Sequence, residues 1–312
     1  MKKILLLLFV LPLLVIGQQQ THVPDDNFEQ ALINLGYDNV LDDSVLTSNI
    51  NVITSLLIPN FNGIVDMTGI EDFTALIELV CWYGNISYLD VSNNVLLEKL
   101  DCRNNQLTSL NVSNNPLLKE LWFSENMITS IDLSSCIDLY YLLALENQLS
   151  SLDVSANIKL EILGCHFNQL TTLDVSTAPH LESLGCAGNQ ISELDLSENI
   201  NLTDFDCRHN NLSSLDVRNG NNFNLPHFSC EYNPNLDCIN VDDVQYSNMN
   251  WTKDTIANFS WDCDITSVEE QTQNKTLLKV TDVLGRKSKG IKNTPLFYIY
   301  EDGTVEKRII IE

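Results

Sequence analysis

The side chains of this sequence that could carry chemistry are nine cysteines, five histidines and a regular column of aspartates. Thiolates and imidazoles bind zinc, carboxylates bind calcium, and a histidine beside a nucleophile supports acyl transfer. Spacing decides among these. Cys81, Cys102, Cys165, Cys186 and Cys207 recur at multiples of 21 residues, and Cys230 follows after 23. Zinc sites use much closer spacings, and no histidine recurs with these thiols, so no metal site is expected. Neighbours in such a column point the same way about 4.8 Å apart, whereas a disulfide needs Cβ atoms about 3.8 Å apart and facing each other. The six are expected to be buried free thiols acting as small apolar residues. The histidines, His22, His166, His180, His209 and His227, hold unrelated positions. Without a nucleophile elbow, a zinc motif or a glycine-rich phosphate loop, no catalytic residue, enzymatic activity or cofactor is expected.

The spacing of the cysteines belongs to a larger unit. Leu76, Leu97, Leu118, Leu139, Leu160, Leu181 and Leu202 each open a 21-residue copy, typified by LEKLDCRNNQLTSLNVSNNPL, and Leu225 opens a degenerate last one. Apolar residues fall at unit positions 1, 4, 6, 11, 14 and 16, which is one pattern written twice with an offset of ten. Each copy therefore offers two short extended segments, LxxLxC and LxxLDV, whose alternate residues point inward. One copy cannot bury that face alone. Coils stacked in register join the segments into parallel sheets around a continuous core, which is a solenoid. Residues 53–75 form an atypical first coil of the stack.

An Asn column runs with the cysteines: Asn105, Asn126, Asn147, Asn168, Asn189, Asn210 and Asn233, with Gly84 and Asn85 at the corresponding place in the first regular copy. A buried amide there satisfies turn backbone that no ladder reaches, so the column reads as structural. Cys136 replaces an Asn of the second such column and reads as a lone thiol.

A solenoid end exposes raw core and needs a cap. From Pro24 to Gly36 the sequence predicts a short helix, capped by Asp25 or Asp26, with Phe28, Ala31, Leu32 and Leu35 on its apolar face. That places an N-terminal helical cap in 18–52. Beyond the solenoid at 53–237, Cys238 and Cys263 stand outside the columns and flank a segment holding Trp251 and Trp261. In an exported chain these two are expected to form a disulfide closing a C-terminal cap at 238–264.

Export is expected from residues 1–17, where two lysines precede an apolar run from Ile4 to Ile16 and a small residue, Gly17. The run is too short to span a bilayer, and no other stretch is apolar enough. The whole chain has 312 residues and a formal net charge of −25. Taking away the +3 of a basic tail at 275–312 and the +2 of the leader leaves −30 on the intervening chain, which holds only seven basic residues. Nucleic acid and anionic membrane surfaces repel such a body.

The pattern LxxLxCxxNxLxxLDVSxN resembles the 21-residue leucine-rich repeats of bacterial surface proteins and is especially similar to those of the cysteine-ladder internalins. The resemblance covers about 53–237. It implies a curved solenoid that binds protein or glycan partners through the LxxLxC sheet, and no catalytic residues. It does not transfer a ligand. After a linker at 265–274, the tail offers LLKVTDVLG and PLFYIY as strand-like runs, then Glu301, Asp302 and Gly303 as a hairpin turn. Its LFYIYEDGTVEKRIIIE looks like the C-terminal sorting signals read by the type IX secretion system of Bacteroidota, implying that machinery as a partner.

Unit positions 3, 5 and 7 alternate with the buried ones and should face outward. They hold Trp82, Trp122, Tyr141, Leu143, Leu145, Ile162 and His166, with Tyr83 and Phe167 at position 8. Aromatic and aliphatic groups on an acidic surface commonly mark partner sites. The expected function is protein recognition or adhesion at an extracellular or outer surface, with Trp82, Trp122, Tyr141, Leu143, Leu145, His166 and Phe167 as ligand-binding candidates. Sugar stacking on Trp82, Trp122 and Tyr141 is the alternative. Position 15 holds Asp90, Asn111, Asp132, Asp153, Asp174, Asp195 and Asp216, which reads as a solvated polar face rather than a calcium site, since no looped ligand set accompanies it.

Overall fold

The structure is a computed structural model that describes residues 18–58, 63–263, 277–281, 286, 295–300, 303 and 305–309. The expected leader at 1–17 and linker at 265–274 lie outside the described residues. The chain separates into one unit ending at Asp262 and a second beginning at Cys263.

In the first unit each LxxLxC segment contributes one three-residue strand. They are β3 (Ser55–Leu57), β4 (Glu78–Val80), β5 (Lys99–Asp101), β6 (Glu120–Trp122), β7 (Tyr141–Leu143), β8 (Ile162–Gly164), β9 (Ser183–Gly185), β11 (Asp204–Asp206) and β13 (His227–Ser229). These nine form a single parallel sheet in chain order. Between β4 and β9 the register advances by one repeat per strand, so Leu79, Leu100, Leu121, Leu142, Leu163 and Leu184 stack in one buried row. Phe205 and Phe228 continue that row. Burying a Leu or Phe side chain contributes about 1.5–3 kcal/mol, so register slippage would cost every coil at once. The fold is a leucine-rich-repeat solenoid.

The cysteine column lies inside. Cys81, Cys102, Cys165, Cys186, Cys207 and Cys230 are buried and free, and so is Cys136. Burial pushes the Cys165 thiol up to about 12 and raises the others, which keeps them protonated and unreactive. Cys136 lies 3.8 Å from the carbonyls of Val112 and Asn115, places that an Asn amide takes in adjoining coils.

The Asn column closes each turn in the expected way. Asn168 donates Nδ2 to the carbonyls of Ala144, Cys165 and His166, and its Oδ1 accepts from Leu149 N at 3.0 Å. One amide thus ties two coils together. Gly84 takes the Asn position in the first regular coil, where a Cβ would come 2.7 Å from Asn105 Oδ1. Just before the column the chain enters the left-handed region: Tyr83, Asn104, Glu125, Glu146, Phe167, Gly188, His209 and Tyr232 all have φ between 50° and 69°.

The second half of the repeat departs from expectation. The LxxLDV segments pair only at the C-terminal end, where β10 (Glu193–Asp195) and β12 (Ser214–Asp216) are continued by β14 (Cys238–Asn240) and β15 (Asn258–Ser260), which lie beyond the last repeat. The earlier copies bury the same apolar residues without pairing as strands, apart from one bridge between Asp66 and Tyr88. Residue types at positions 14–16 do not distinguish the two groups. The paired copies are those adjoining the strands that end the stack.

At the N-terminal end, β1 (Gln20–His22) pairs antiparallel with β2 (Ser44–Leu46), and α1 (Asp26–Asn34) lies between them in sequence. Phe28, Ala31 and Leu32 are buried as expected, but Leu35 is exposed because α1 ends before it, at the cap preceding left-handed Gly36. Asp25 caps the helix, and its second oxygen accepts from Val65 N and Asp66 N. Glu29 is fully buried, and its carboxylate accepts from the backbone of Asp42, Asp43 and Ser44.

At the far end, the Asp254 carboxylate accepts from Tyr232 N and Asn233 N, backbone donors that a further coil would otherwise meet. Trp251 stacks on Phe228 at 4.2 Å and donates Nε1 to Leu225 O, whereas Trp261 is exposed. Cys238 and Cys263 are disulfide-bonded.

The second unit is a three-stranded antiparallel sheet of β16 (Leu277–Thr281), β17 (Pro295–Tyr300) and β18 (Val305–Ile309). Left-handed Gly303 lies between β17 and β18, while Glu301 and Asp302 lie outside the described residues.

Candidate functional site

The parallel register sets the outward columns of the nine-stranded sheet. Position 3 reads Glu78, Lys99, Glu120, Tyr141, Ile162, Ser183 and Asp204, and position 5 reads Val80, Asp101, Trp122, Leu143, Gly164, Gly185 and Asp206. Trp122, Tyr141, Leu143, Leu145 and His166 come together on adjoining strands or just after them, all half-buried. The Trp122 and Tyr141 rings meet edge-on at 5.2 Å. Trp82 sits two strands away, about 10 Å along the stack, and packs edge-on against Tyr83 at 4.9 Å. Phe167 stands on the left-handed turn beside the sheet.

Much of this face was not legible as a site from the aromatic residues alone. Lys99 Nζ lies 4.6 Å from the Trp122 ring centroid and Arg103 Cζ lies 4.9 Å from it. Lys99 also bridges Glu78 and Glu120 at 3.4 and 3.6 Å, while Arg103 pairs with buried Asp101. Lys119 pairs with Glu98, and Lys159 with Asp138. Four of the seven basic residues of 18–274, Lys99, Arg103, Lys119 and Lys159, thus lie between 99 and 159. Against the seven carboxylates of that stretch they leave a net −3, so they offset part of the acidic charge in the coils that carry the aromatic residues. An uncharged, partly apolar island on an acidic body is cheaper to desolvate than its surroundings.

Two glycines shape the other side of the island. A Cβ at Gly164 would fall 2.8 Å from Leu145 Cδ1 and 2.9 Å from Leu143 Cδ2, and one at Gly185 would fall 2.0 Å from His166 Nε2. The leucines and the imidazole therefore lie down over the next strands, on backbone that has no side chain. Glycine at an outward strand position is the sequence signal for such a close approach.

His166 Nδ1 accepts from Ala187 N at 3.0 Å, which places the proton of the neutral ring on Nε2. Burial holds its pKa below the ordinary histidine value, against the pull of Asp206 and Asp204 and with a further push from Arg208. A cleft of about 370 Å³ lies beside it, lined by Phe167, Ala187, Asp206, Arg208 and His209 as well. A second groove of about 520 Å³ follows the leading edge of the sheet past Lys119, Asp138, Tyr140, Lys159, Glu161 and His180. There Tyr140 donates its hydroxyl to Glu120 at 2.6 Å, and its pKa is pushed up to about 12, chiefly by that bond.

The aspartate column does different work. Asp90, Asp132, Asp153, Asp174 and Asp195 each accept the backbone N–H two residues on at 2.9 Å, and Asn111 does the same at 3.0 Å. These Asx turns redirect the chain after each LxxLDV segment. Asp132, Asp153 and Asp174 are held below the usual carboxylate range by their bonds to Ser134, Ser155 and Ser176.

No family model matches the chain. Internalin J of Listeria monocytogenes is 38% identical over 81 residues, which are 25% of this chain and 9% of that protein. The solved functional domain of internalin J, described as including a cysteine ladder, superimposes with a TM-score of 0.58 at 30% identity, over 78% of this chain and 62% of that one. Internalin C2 of the same species gives 0.56 at 21%, over 63% and 91%. A leucine-rich-repeat protein of Leptospira interrogans gives 0.53 at 19%, over 69% and 57%, and these last two show the fold alone. The chain spans only a small part of the curated relative. Among the described residues, no helix is long and apolar enough to cross a membrane.

Proposed function

We propose that this protein is an exported or surface-attached recognition module that binds a protein partner, as in adhesion, through the outward face of its nine-stranded sheet. The observation that carries the reading is the uncharged cluster centred on Trp122, Tyr141, Leu143 and Leu145, set into a chain whose residues 18–274 carry −30. Contact centres at protein interfaces are rich in Trp and Tyr and poor in unpaired charge. Sugar stacking on this face is less well supported, because Lys99 and Arg103 already lie over the Trp122 ring.

The test is capture of partners from native surface extracts by the wild type and by a Trp122→Ala, Tyr141→Ala variant. The variant is expected to keep its circular dichroism and lose capture; undiminished capture rejects the face. Leader and tail extend the proposal, with 1–17 directing export and 275–312 presented to type IX machinery. A periplasmic reporter fused to 275–312 should appear outside a secretion-competent host, and continued retention rejects that part.

A further inference from the structure

Beside that face runs a column of aromatic residues that backbone preference does not explain, although the Phe167 ring lies over Gly188 of the next coil, where a Cβ would come 2.5 Å from it. The left-handed position of each coil tolerates Gly188 and Asn104, the residue types that adopt φ > 0 most readily. Bulky side chains are disfavoured there, yet Tyr83, Phe167 and Tyr232 occupy it with 52%, 57% and 62% of their surface exposed. Each has an aromatic neighbour that steadies it: Trp82 against Tyr83 at 4.9 Å, His166 beside Phe167 at 6.3 Å, and His209 stacked on Tyr232 at 4.2 Å with planes 5° apart. The three platforms stand four and three coils apart, about 19 and 14 Å at ~4.8 Å per coil. Between the first two, the same column carries Asn104, Glu125 and Glu146, with the Asn104 amide donating to Glu125.

We infer that this ridge is a binding site for an extended, neutral polysaccharide, of the β-1,4-linked pyranose class, lying along the stack. Separate flat rings suit a chain that repeats its own flat faces, whereas a protein hot spot gathers its anchors into one buried centre. The carboxylates and amide between the rings accept and donate hydrogen bonds to sugar hydroxyls. Charge selects against uronic or sulfated chains, since Glu125, Glu146 and the acidic solenoid would repel them. This ridge shares only His166 with the island around Trp122, so the rings of Trp122 and Tyr141 can be removed without touching Tyr83, Phe167 or Tyr232.

Calorimetric titration of the full-length protein with cellohexaose, xylohexaose, mannohexaose and chitohexaose tests it. At least one hexasaccharide should bind, more tightly than its disaccharide. Replacing Tyr83, Phe167 and Tyr232 together by Asn, which Asn104 shows the position accepts, should weaken binding at least tenfold with an unchanged circular dichroism spectrum. Tyr141→Ala should leave it unaltered. Absence of binding by all four probes overturns the inference. So does binding that survives the triple variant, binding lost in Tyr141→Ala, or loss of a captured protein as the only effect of the triple variant.

Discussion

The two halves of each repeat begin from the same pattern and end as different surfaces. LxxLxC builds an uninterrupted nine-stranded sheet whose outward residues change from coil to coil, from Glu78 and Lys99 to Tyr141, Ile162 and Ser183. LxxLDV pairs only at the C-terminal end, and its outward residues hardly change: an Asp or Asn that accepts a backbone N–H, followed by a Ser two places on, from Asp90 to Asp195. Side chains committed to the fold repeat, because every coil needs the same bond. Side chains free of that duty vary, and there the uncharged cluster and its ion pairs occur.

The largest expected contrast concerns the two Asn columns. Asn168, in the first half, makes four hydrogen bonds, three of them buried, whereas Asn157, in the second, donates to Leu133 O and Cys136 O while its own buried oxygen has no protein partner among the described residues. Asn168→Ala should lose about 3 kcal/mol and Asn157→Ala about 1 kcal/mol, because more buried backbone is left unsatisfied in the first. Denaturant midpoints measure both. The natural Cys136 and Ala178 already show that the second column tolerates replacement. Equal losses would remove the distinction between the halves.

A smaller contrast lies in acid response. His166 has its folded pKa lowered by burial, so the unfolded chain takes up its proton first as pH falls. Its stabilising contribution is complete above the ordinary histidine value of about 6.5 and declines below it. Asp132, Asp153 and Asp174 also have lowered folded values, so theirs is present above the ordinary carboxylate range and is lost only in stronger acid. Melting temperatures should therefore fall in two windows, and His166→Gln should flatten the upper one alone. An unchanged upper window in that variant would show that the imidazole is not the group responsible.

The repeat length, the inward residues, the cysteine column and the Asn amides were legible in the sequence, because a period of 21 leaves one way to bury Leu100, Leu121 and Leu142 together. The aromatic members of the face were legible from their outward positions. Their setting was not. The cations over Trp122 and the glycines beneath Leu143 and His166 come from neighbouring coils, so their meaning depends on register rather than on any local motif. The partial second sheet was not legible either, since identical LxxLDV segments pair at one end and not along the rest. The burial of Glu29 was not legible, because the backbone of 42–44 that packs against its carboxylate is brought there by the fold.

Recognition by the varying face, and not by the repeating one, is open to direct measurement. Capture from native surface extracts can be compared for the wild type, Trp122→Ala with Tyr141→Ala, and Asp153→Ala with Asp174→Ala, all first shown to be folded. Capture should be lost in the first pair and retained in the second. Capture retained by the first pair and lost in the second would contradict recognition by the varying face.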